Sequence, residues 1–431
     1  MTDILAWPLP WWGWTFLVIG VISLGSVLGA LFLPDWPRPD HQLAFKAAPG
    51  SQEFVRSVGG VLGIPIYRGG EAKILQNGDA FYSEMLSAIG SARDTITFEV
   101  YIFEPDEVGR RFMDAFIERA RSNVEVRVLF DWFGSIRLRK KYVREMKAAG
   151  VKVEFFRPLA LRNLVRMYRR SHRRAIVIDG RIAFTGGAAV AKKWAGDARN
   201  KEEWRDSMTR VTGCAVTGIQ AAFATHWVYC TGEILAGPRF FPTDEASDGI
   251  VALAALSSPS DAMQPIRTLC LMSFASARQR LWIASSYFIP DAQFRKAARE
   301  RSRAGVDVRI LVPGKHTDAV PVKLAGQSYY EELLRDRVRI FEFQPSMMHA
   351  KTVVVDDAWT LIGSANMDER SMELNEENAL GIADEGFARA VAAGNEADFA
   401  KSREILLEEW LRRPLYHRLM ERLAKVLLEQ Y

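Results

Sequence analysis

His349-Ala350-Lys351-Thr352-Val353-Val354-Val355-Asp356 is the stretch that decides the fold of this chain, because a near copy of it occurs upstream. His172-Arg173-Arg174-Ala175-Ile176-Val177-Ile178-Asp179 has the same order of a histidine, a cation two residues later and an aspartate seven residues after the histidine. The first copy runs into Thr185-Gly186-Gly187 and the second into Ile362-Gly363-Ser364. One such pattern arises often by chance, whereas two copies with matching flanks indicate a duplicated unit.

The spacing of the motif predicts both its local structure and its chemistry. Alternation along a strand places His349 and Lys351 on the same face, and the β-branched run that follows predicts a strand buried in a sheet. An imidazole beside a fixed cation suits attack on a phosphodiester, with a neutral histidine as nucleophile and a second histidine protonating the leaving alkoxide. Two motif copies supply both histidines, and this chemistry calls for no metal and no cofactor.

The residues that follow each motif add further candidates. Within Gly363-Ser364-Ala365-Asn366-Met367-Asp368, the side chains of Ser364 and Asn366 are predicted to hold phosphate oxygens. Leu374-Asn375-Glu376-Glu377 carries a carboxylate that is able to fix the tautomer of a catalytic histidine. In the first half, Trp204-Arg205-Asp206 offers the equivalent carboxylate.

On these residues the chain resembles the phospholipase D superfamily, and within it the bacterial cardiolipin synthases. The resembling residues are the two motifs, Gly186-Gly187, Trp204-Arg205-Asp206, the run 363–368 with Arg370-Ser371, and Asn375 with Glu377. The similarity extends from about Val61 to the C-terminus. It implies a phosphatidyl-histidine intermediate and transfer of the phosphatidyl group to an alcohol.

The resemblance also implies a role for each residue. His172 is expected to be the nucleophile and His349 the general acid, with Asp206 orienting His172 and Glu377 orienting His349. The predicted catalytic set is His172, Arg174, Asp179, His349, Lys351 and Asp356.

The first motif departs from the family pattern in its polar residues. Arg174 replaces lysine, and arginine keeps the charge but is bulkier and planar. Gly187 and Ala189 stand where the second half has Ser364 and Asn366, so the first half offers fewer phosphate ligands. Both an asymmetric working site and a half-inactive one fit these substitutions.

Charge indicates an anionic partner. The formal net charge is +5, but the cations are concentrated in two runs, from Arg137 to Lys147 and from Arg157 to Arg174. The second run leads into His172 and favours a functional role, while the first fits a solvated helix face equally well. Phospholipid headgroups and nucleic acid both match this charge. Three scattered cysteines argue against a disulfide framework and indicate a reducing compartment.

The N-terminal segment favours lipid as the partner. No charged residue occurs between Asp3 and Asp35, and the apolar stretch at about 11–33 is long enough to cross a bilayer. Four tryptophans cluster at its start and Trp36 follows its end, as interfacial aromatics do. A cleaved signal peptide would have a basic start and a shorter apolar core. A retained anchor is therefore predicted, and the cations that follow it place the catalytic domains in the cytoplasm, on the inner membrane.

The repeat defines the predicted organisation: an anchor at 1–40 and phospholipase D-like domains at 41–230 and 231–431. In the first half, a helix at 79–91, a strand at 95–103, a helix at 106–122 and a strand at 124–130 precede the motif strand. The second half repeats this with a strand at 281–289, a helix at 291–303 and a strand at 306–312. The fold class is therefore α/β, with duplicated domains of mixed β-sheets flanked by helices and one N-terminal transmembrane helix.

A duplicated unit with half a site per copy predicts that His172 and His349 meet across a pseudo-twofold interface. Glu99 and Tyr101, on a predicted strand, fit sheet packing better than the site. In the tail 412–431, Leu415, Leu419, Leu423 and Leu427 recur every four residues. This spacing is more typical of a packing helix than of a membrane-surface helix.

The leading hypothesis is a membrane-bound phosphatidyltransferase that makes cardiolipin from two phosphatidylglycerol molecules and releases glycerol. The alternatives are phospholipid hydrolysis or transfer to another alcohol, a nuclease, and a non-catalytic lipid-binding module. The expected partners are anionic phospholipids and the bilayer, with nucleic acid not expected. The sequence leaves the acceptor and the oligomeric state open.

Overall fold

The computed structural model describes residues 11–32, 47–159, 169–243, 248–259 and 264–428. The chain divides into an N-terminal unit, Met1–Gln42, and a main unit, Leu43–Glu429. Helix α1 (Trp11–Phe32) occupies the segment for which a membrane span is predicted, although the side chains at 11, 24 and 26–32 lie outside the described set. Among the described residues, no helix has the length and apolarity that crossing a membrane requires.

The main unit is built from strands and helices that alternate along the chain. Its described strands are β1 (Ile66–Arg68), β2 (Ala72–Gln76), β3 (Thr95–Val100), β4 (Glu125–Asp131), β5 (Lys152–Phe156), β6 (Ala175–Ile178), β7 (Ile182–Gly186), β8 (Ser207–Thr212), β9 (Val251–Ser257), β10 (Arg280–Ala284), β11 (Asp307–Pro313), β12 (Arg339–Phe343), β13 (Thr352–Val355), β14 (Trp359–Gly363), β15 (Glu377–Ala383) and β16 (Ser402–Ile405).

The described helices of the main unit begin with α2 because α1 lies in the other unit. They are α2 (Gln52–Leu62), α3 (Asn77–Ser91), α4 (Glu107–Arg121), α5 (Lys140–Ala148), α6 (Val216–Thr231), α7 (Pro265–Ser276), α8 (Ala292–Arg303), α9 (Val320–Gln327), α10 (Tyr330–Arg335), α11 (Glu385–Ala400), α12 (Leu407–Leu411) and α13 (Leu415–Leu428).

Two mixed sheets carry the duplication. The described strands of the first sheet run in the order β2-β8-β7-β6-β3-β4-β5, and those of the second in the order β1-β9-β15-β14-β13-β10-β11-β12-β16. Apart from β1 and β16 at the edges, the two orders are the same when each strand is replaced by its counterpart. The predicted duplicated α/β fold is therefore confirmed.

The same local signals start corresponding helices in the two halves. Asp106 caps α4 by accepting hydrogen bonds from the backbone of Val108 and Gly109. Asp291 caps α8 by accepting from the backbone of Gln293 and Phe294. A side-chain oxygen at the N-cap satisfies amides that would otherwise lack a partner at a helix start.

Two strands end earlier than predicted, where the chain turns toward the site. The strand predicted at 281–289 ends at Ala284, and the hydroxyl of Ser286 beyond it donates to the carbonyl of His349. The strand predicted at 95–103 ends at Val100. The division at 230/231 stays a prediction, and β1, which lies before it in the chain, pairs with β9 in the second sheet.

The two halves share a hydrophobic core. One buried cluster contains Val177 and Ala183 from the first sheet together with Val354 and Ile362 from the second. Helix α6 packs against β6 and β7, and α11 packs against strands of the second sheet. Because this apolar layer joins the sheets, the starts of β6 and β13 lie in one compact unit.

The C-terminal helix packs on the domain, but not through the leucines whose spacing predicted it. Leu415, Leu419 and Leu423 are exposed, while the opposite face of α13, with Glu421 and Ala424, is buried. Helix α13 does pack on α9, as predicted, but the leucines are not the residues that it buries. Leu427 lies outside the residues whose side chains are described.

Candidate active site

Each motif histidine lies just before the central strand of its sheet. His172 precedes β6 and His349 precedes β13, and these strands are fully buried. The side chains of the two histidines are nearly buried, with 12% and 7% of their surfaces exposed. Both line one cavity of about 190 Å³. The structure thus brings the two histidines together, as the duplication predicts.

Each histidine contacts a carboxylate from the other half of the chain. Nδ1 of His172 lies 3.0 Å from Glu377, and Nδ1 of His349 lies 2.6 Å from Asp206. The predicted pairing of Asp206 with His172 and of Glu377 with His349 is therefore wrong.

The backbone explains this crossed pairing. The amide of His172 donates to the carbonyl of Glu376 at 2.8 Å, and the amide of His349 donates to the carbonyl of Arg205 at 2.7 Å. The residue after each of these carbonyls is the carboxylate, Glu377 or Asp206. Each half thus holds the histidine of the other half beside its own acid.

The two carboxylates are supported by different donors. The hydroxyl of Ser364 donates to Glu377, whereas the indole Nε1 of Trp194 donates to Asp206 at 2.9 Å. A Cβ at Gly187, the counterpart of Ser364, would lie 2.3 Å from an oxygen of Asp206. The first half therefore needs glycine there. Ser364 orients a carboxylate and does not line the cavity, which corrects its predicted role as a phosphate ligand.

The motif cations lie beside the histidines. Nζ of Lys351 is 3.0 Å from Nδ1 of His349 and donates to the carbonyl of His349 and to the hydroxyl of Ser286. The guanidinium of Arg174 donates to the carbonyls of Ala188 and His172 and lines the cavity. Both cations are buried, so their charge acts on the cavity with little screening by water.

Burial sets the protonation of the histidines. Burial and the neighbouring Lys351 ammonium lower the pKa of His349 to about 3, against the opposing effect of Asp206. Burial and Arg174 also lower the pKa of His172. Burial alone would raise the pKa of Asp206 and Glu377, but the facing histidines outweigh it and both values are lowered. At neutral pH the site of the free protein therefore has neutral histidines and ionised carboxylates.

The motif aspartates lie at the far end of the motif strands. Asp179 accepts hydrogen bonds from the backbone amides of residues 93–95, and Asp356 accepts from those of residues 278–280. Four strand residues separate each aspartate from the site end of its strand. The predicted catalytic role of both aspartates is wrong, because each ties a turn to the neighbouring strand.

Asn366 does line the cavity, together with Asp368. The Oδ1 atom of Asn366 and the Oδ2 atom of Asp368 have no hydrogen-bond partner among the described residues. Burial raises the pKa of Asp368 to about 6. An amide group and a carboxyl group are thus available to a ligand in the second half.

The cavity wall includes aromatic residues that sequence reasoning did not assign to the site. Tyr101 and Tyr287 follow β3 and β10, one residue out of register in the repeat, and the hydroxyl of Tyr287 donates to Asp318 at 2.9 Å. The prediction that Tyr101 packs within the sheet, away from the site, is therefore wrong. The repeated tyrosines after each Ser-Ala-Arg turn were the signal that could have found them.

A second group in the wall combines a cation with two indoles. Nζ of Lys193 lies 4.3 Å from the ring centroid of Trp204 and 4.7 Å from that of Trp194. Burial lowers the pKa of Lys193. The sequence offers little signal for it, since Lys193 lies outside both motifs.

Most described arginines of the run 157–174 serve the fold and not the cavity. Arg157 pairs with Glu376 at 3.0 Å. Arg170 pairs with Asp131 at 3.0 Å and, like Arg174, also lines the cavity. Glu99, expected in sheet packing, is buried and accepts from the hydroxyl of Ser171. Arg162 and Arg166 lie outside the described residues. Within the described ranges, no group of three His, Cys, Asp or Glu side chains is placed to hold a metal ion.

The chain is similar in sequence to a known protein family and to several of its members. The family model described as "Cardiolipin synthase, PLD-like domain" matches residues 85–203 and 271–399. Cardiolipin synthase 1 of Bacillus cereus is 36% identical over 365 residues, which cover 82% of this chain and 71% of that protein. Cardiolipin synthase A of Pseudomonas aeruginosa is 33% identical over 377 residues, which cover 87% and 76%.

A solved structure has the same fold at low sequence identity. The crystal structure of phosphatidylserine synthase from Haemophilus influenzae aligns with a TM-score of 0.64 and 14% identity, covering 87% of this chain and 97% of that one. At this identity the likeness concerns the fold alone.

Proposed function

Since the chain belongs to the cardiolipin synthase family of phospholipase D-like proteins, we propose that it transfers a phosphatidyl group from one phosphatidylglycerol to a hydroxyl of a second, forming cardiolipin and glycerol. The observation that carries this proposal is the pair of histidines in one cavity, each against a carboxylate of the other half.

The first step is attack on the donor. Nε2 of neutral His172 bonds to phosphorus, the bond from phosphorus to the glycerol oxygen breaks, and protonated His349 gives its proton to that oxygen. Glycerol leaves, and a phosphatidyl-histidine remains. Glu377 stabilises the positive charge that forms on His172, because its carboxylate contacts Nδ1.

The second step reverses the roles of acid and base. His349, now neutral, takes the proton from a hydroxyl of the second phosphatidylglycerol. That oxygen bonds to phosphorus, the bond between phosphorus and His172 breaks, and cardiolipin leaves. Lys351 and Arg174 neutralise the non-bridging phosphate oxygens in both steps.

His349 takes up its proton from solvent when the substrate binds. In the free protein, burial and Lys351 lower the pKa of His349 to about 3. A phosphate anion in the cavity, which Arg174 lines and near which Lys351 is buried, offsets the cations that oppose protonation and adds a negative charge near the imidazole. Substrate binding therefore raises the pKa of His349 and prepares it to act as the acid.

The size of the cavity supports headgroup binding. At about 190 Å³ it is smaller than the roughly 300–1,000 Å³ typical of sites that enclose a drug-sized ligand. It accepts a phosphodiester headgroup and leaves the acyl chains outside. Cationic side chains and the free amide oxygen of Asn366 match a phosphate with a hydroxylated substituent.

The N-terminal segment supports a membrane location. We propose that helix α1 anchors the chain in the cytoplasmic membrane with the catalytic domains in the cytoplasm, on the basis of the uncharged stretch from residue 4 to residue 34 and the basic residues after it. Resistance to alkaline extraction from membranes, lost on deletion of residues 1–40, tests the anchor. Protease cleavage of the domains only after the inner membrane is opened tests the orientation.

Lipid analysis tests the reaction. Expression in a bacterium that lacks cardiolipin is expected to produce it, detected by mass spectrometry, and the His349→Ala variant is expected to produce none. Purified enzyme should release one glycerol per cardiolipin. Accumulation of phosphatidic acid without cardiolipin would instead make the protein a hydrolase and overturn the transfer reaction.

A further inference from the structure

Helix α13 exposes a continuous apolar face. Its exposed large apolar residues range from 49% to 79% exposed, and they are Leu415, Tyr416, Leu419, Met420, Leu423 and Val426. At about 100° per residue, Leu415, Leu419, Leu423 and Val426 fall within an arc of about 80°. A contiguous face of this kind on a soluble surface indicates a contact site.

The other side of α13 fixes the helix to the domain. Glu421 is buried and pairs with Arg413 at 2.7 Å, and Ala424 is also buried. Nζ of Lys425 lies 4.7 Å from the ring centroid of Tyr329. Since this side packs on α9, the apolar face is held outward and is not free to turn into the core.

The charge around the apolar face is positive. Residues 412–428 contain five cations and a single acid, Glu421, which is buried. Arg412 and Arg422 are exposed, and Arg422 lies about 20° from Leu415 around the helix axis. An exposed apolar face bordered by arginine is the pattern of helices that lie in the interface of an anionic bilayer.

We propose that the exposed face of α13 lies in the headgroup region of an anionic phospholipid bilayer. The apolar side chains enter the boundary of the acyl chains, and Arg412 and Arg422 contact lipid phosphates. A second copy of the chain fits this face less well than a bilayer does. A twofold contact would bring the exposed cations of two α13 helices together, and α13 has no exposed acid to face them.

The contact has a consequence for substrate entry. Helix α13 packs on α9, and the loop just before α9 carries Asp318, which lines the cavity and accepts from Tyr287. Binding of α13 to the bilayer therefore brings this wall of the cavity toward the lipid headgroups. The membrane contact itself does not depend on the transfer reaction.

Depth-dependent quenching tests this contact in the full chain. A bimane fluorophore is attached to Leu419→Cys and, as the matched control, to His417→Cys, an exposed position about 160° away around the same helix. The proteins are reconstituted into vesicles of phosphatidylglycerol and phosphatidylcholine with brominated acyl chains. Identically treated wild-type protein corrects for labelling of the native cysteines, and the N-terminal segment is the same in every sample.

The expected result is strong quenching of the label at 419 and little at 417, with weaker quenching at 419 in phosphatidylcholine alone. A label at 419 that stays unquenched in anionic vesicles overturns the proposal. So does a label whose emission changes only with protein concentration, because that result identifies a second copy as the occupant. Repeating the measurement with His349→Ala separates it from the transfer chemistry, since quenching should be unchanged.

A functional readout complements the label. The double variant Leu419→Asp, Leu423→Asp places charge on the exposed face and is expected to lose activity on vesicles while keeping it in detergent micelles. Full activity on vesicles would contradict a role for the contact in substrate entry. Loss in micelles as well would assign these residues to the fold instead.

Discussion

The Nδ1 atom of His349 lies 2.6 Å from a carboxylate oxygen of Asp206, which comes from the other half of the chain. The same crossed arrangement joins His172 to Glu377. Neither half therefore contains a complete histidine–carboxylate pair. This dependence explains why two unequal motif copies act as one site, and it leads to the following predictions.

Replacing Asp206 with asparagine is expected to lower kcat by about 10²–10⁴-fold with little change in KM, because a neutral amide stabilises the imidazolium poorly. Glu377→Gln should behave in the same way. Steady-state kinetics on mixed micelles measures both. Glu376→Gln is the control, since Glu376 pairs with Arg157 outside the cavity, and it should lower kcat less. Equal effects for all three variants would contradict the orienting role.

An activated donor is expected to distinguish the role of His172 from that of His349. A nitrophenyl phosphatidyl ester needs no general acid, since nitrophenolate leaves without a proton. His349→Ala should therefore still form the adduct on His172, whereas His172→Ala should form none. Mass spectrometry of trapped protein identifies the modified peptide. An adduct on His349 in the His172→Ala variant would reverse the assigned roles.

The activity should fall on the alkaline side of neutrality. Burial lowers the pKa of Lys351 to about 7, so above this pH the free enzyme loses a cation that binds phosphate, and kcat/KM decreases. Profiles from about pH 5 to about pH 9 should show this limb. Lys351→Arg should remove the limb and lower the maximum rate, because guanidinium keeps its charge but is bulkier. A limb unchanged in this variant would exclude Lys351 as its source.

The same shift affects stability with a defined sign. The folded-state pKa of Lys351 lies below the unfolded value, so the native chain binds fewer protons between about pH 7 and about pH 10. Lys351 should therefore make the free energy of unfolding rise with pH in that window. Lys351→Met should lose this contribution, which urea titrations at several pH values would reveal.

Removing the hydroxyl of Ser364 should act through Glu377. Ser364→Ala is expected to reduce kcat by about tenfold without raising KM, because a lost hydrogen bond of roughly 1–2 kcal/mol leaves the carboxylate less firmly held. Ser364→Thr keeps the donor and should recover part of the rate. A rise in KM with unchanged kcat would instead restore the phosphate-binding role that the structure argues against.

Asp356 is expected to matter for stability and not for the reaction. Asp356→Ala removes an acceptor of three backbone hydrogen bonds and should lower the free energy of unfolding by about 2–4 kcal/mol. The folded fraction should keep its kcat. Asp357→Ala, at the neighbouring residue with a half-exposed ion pair to Arg280, is the control and should lower stability less. A large loss of kcat in folded Asp356→Ala would return it to the catalytic set.

The sequence by itself determined the duplication, the motif strands and the chemistry. Two copies of a histidine with a cation at the second position, each leading into a β-branched strand, require two similar sheets with an imidazole at one end of each. Local spacing fixes which side of a strand a residue occupies, and Lys351 does lie beside His349. These inferences depend only on neighbours in the chain.

Only the tertiary structure decided which carboxylate serves which histidine, which motif residues leave the site, and which face of α13 is exposed. Each of these depends on contacts between segments far apart in sequence, such as the amide of His349 on the carbonyl of Arg205. Ser364 and Asp356 belong to conspicuous motifs, yet packing turns one toward Glu377 and the other toward backbone amides. A periodic pattern identifies an apolar face, but what that face contacts is set by the surfaces the fold brings next to it.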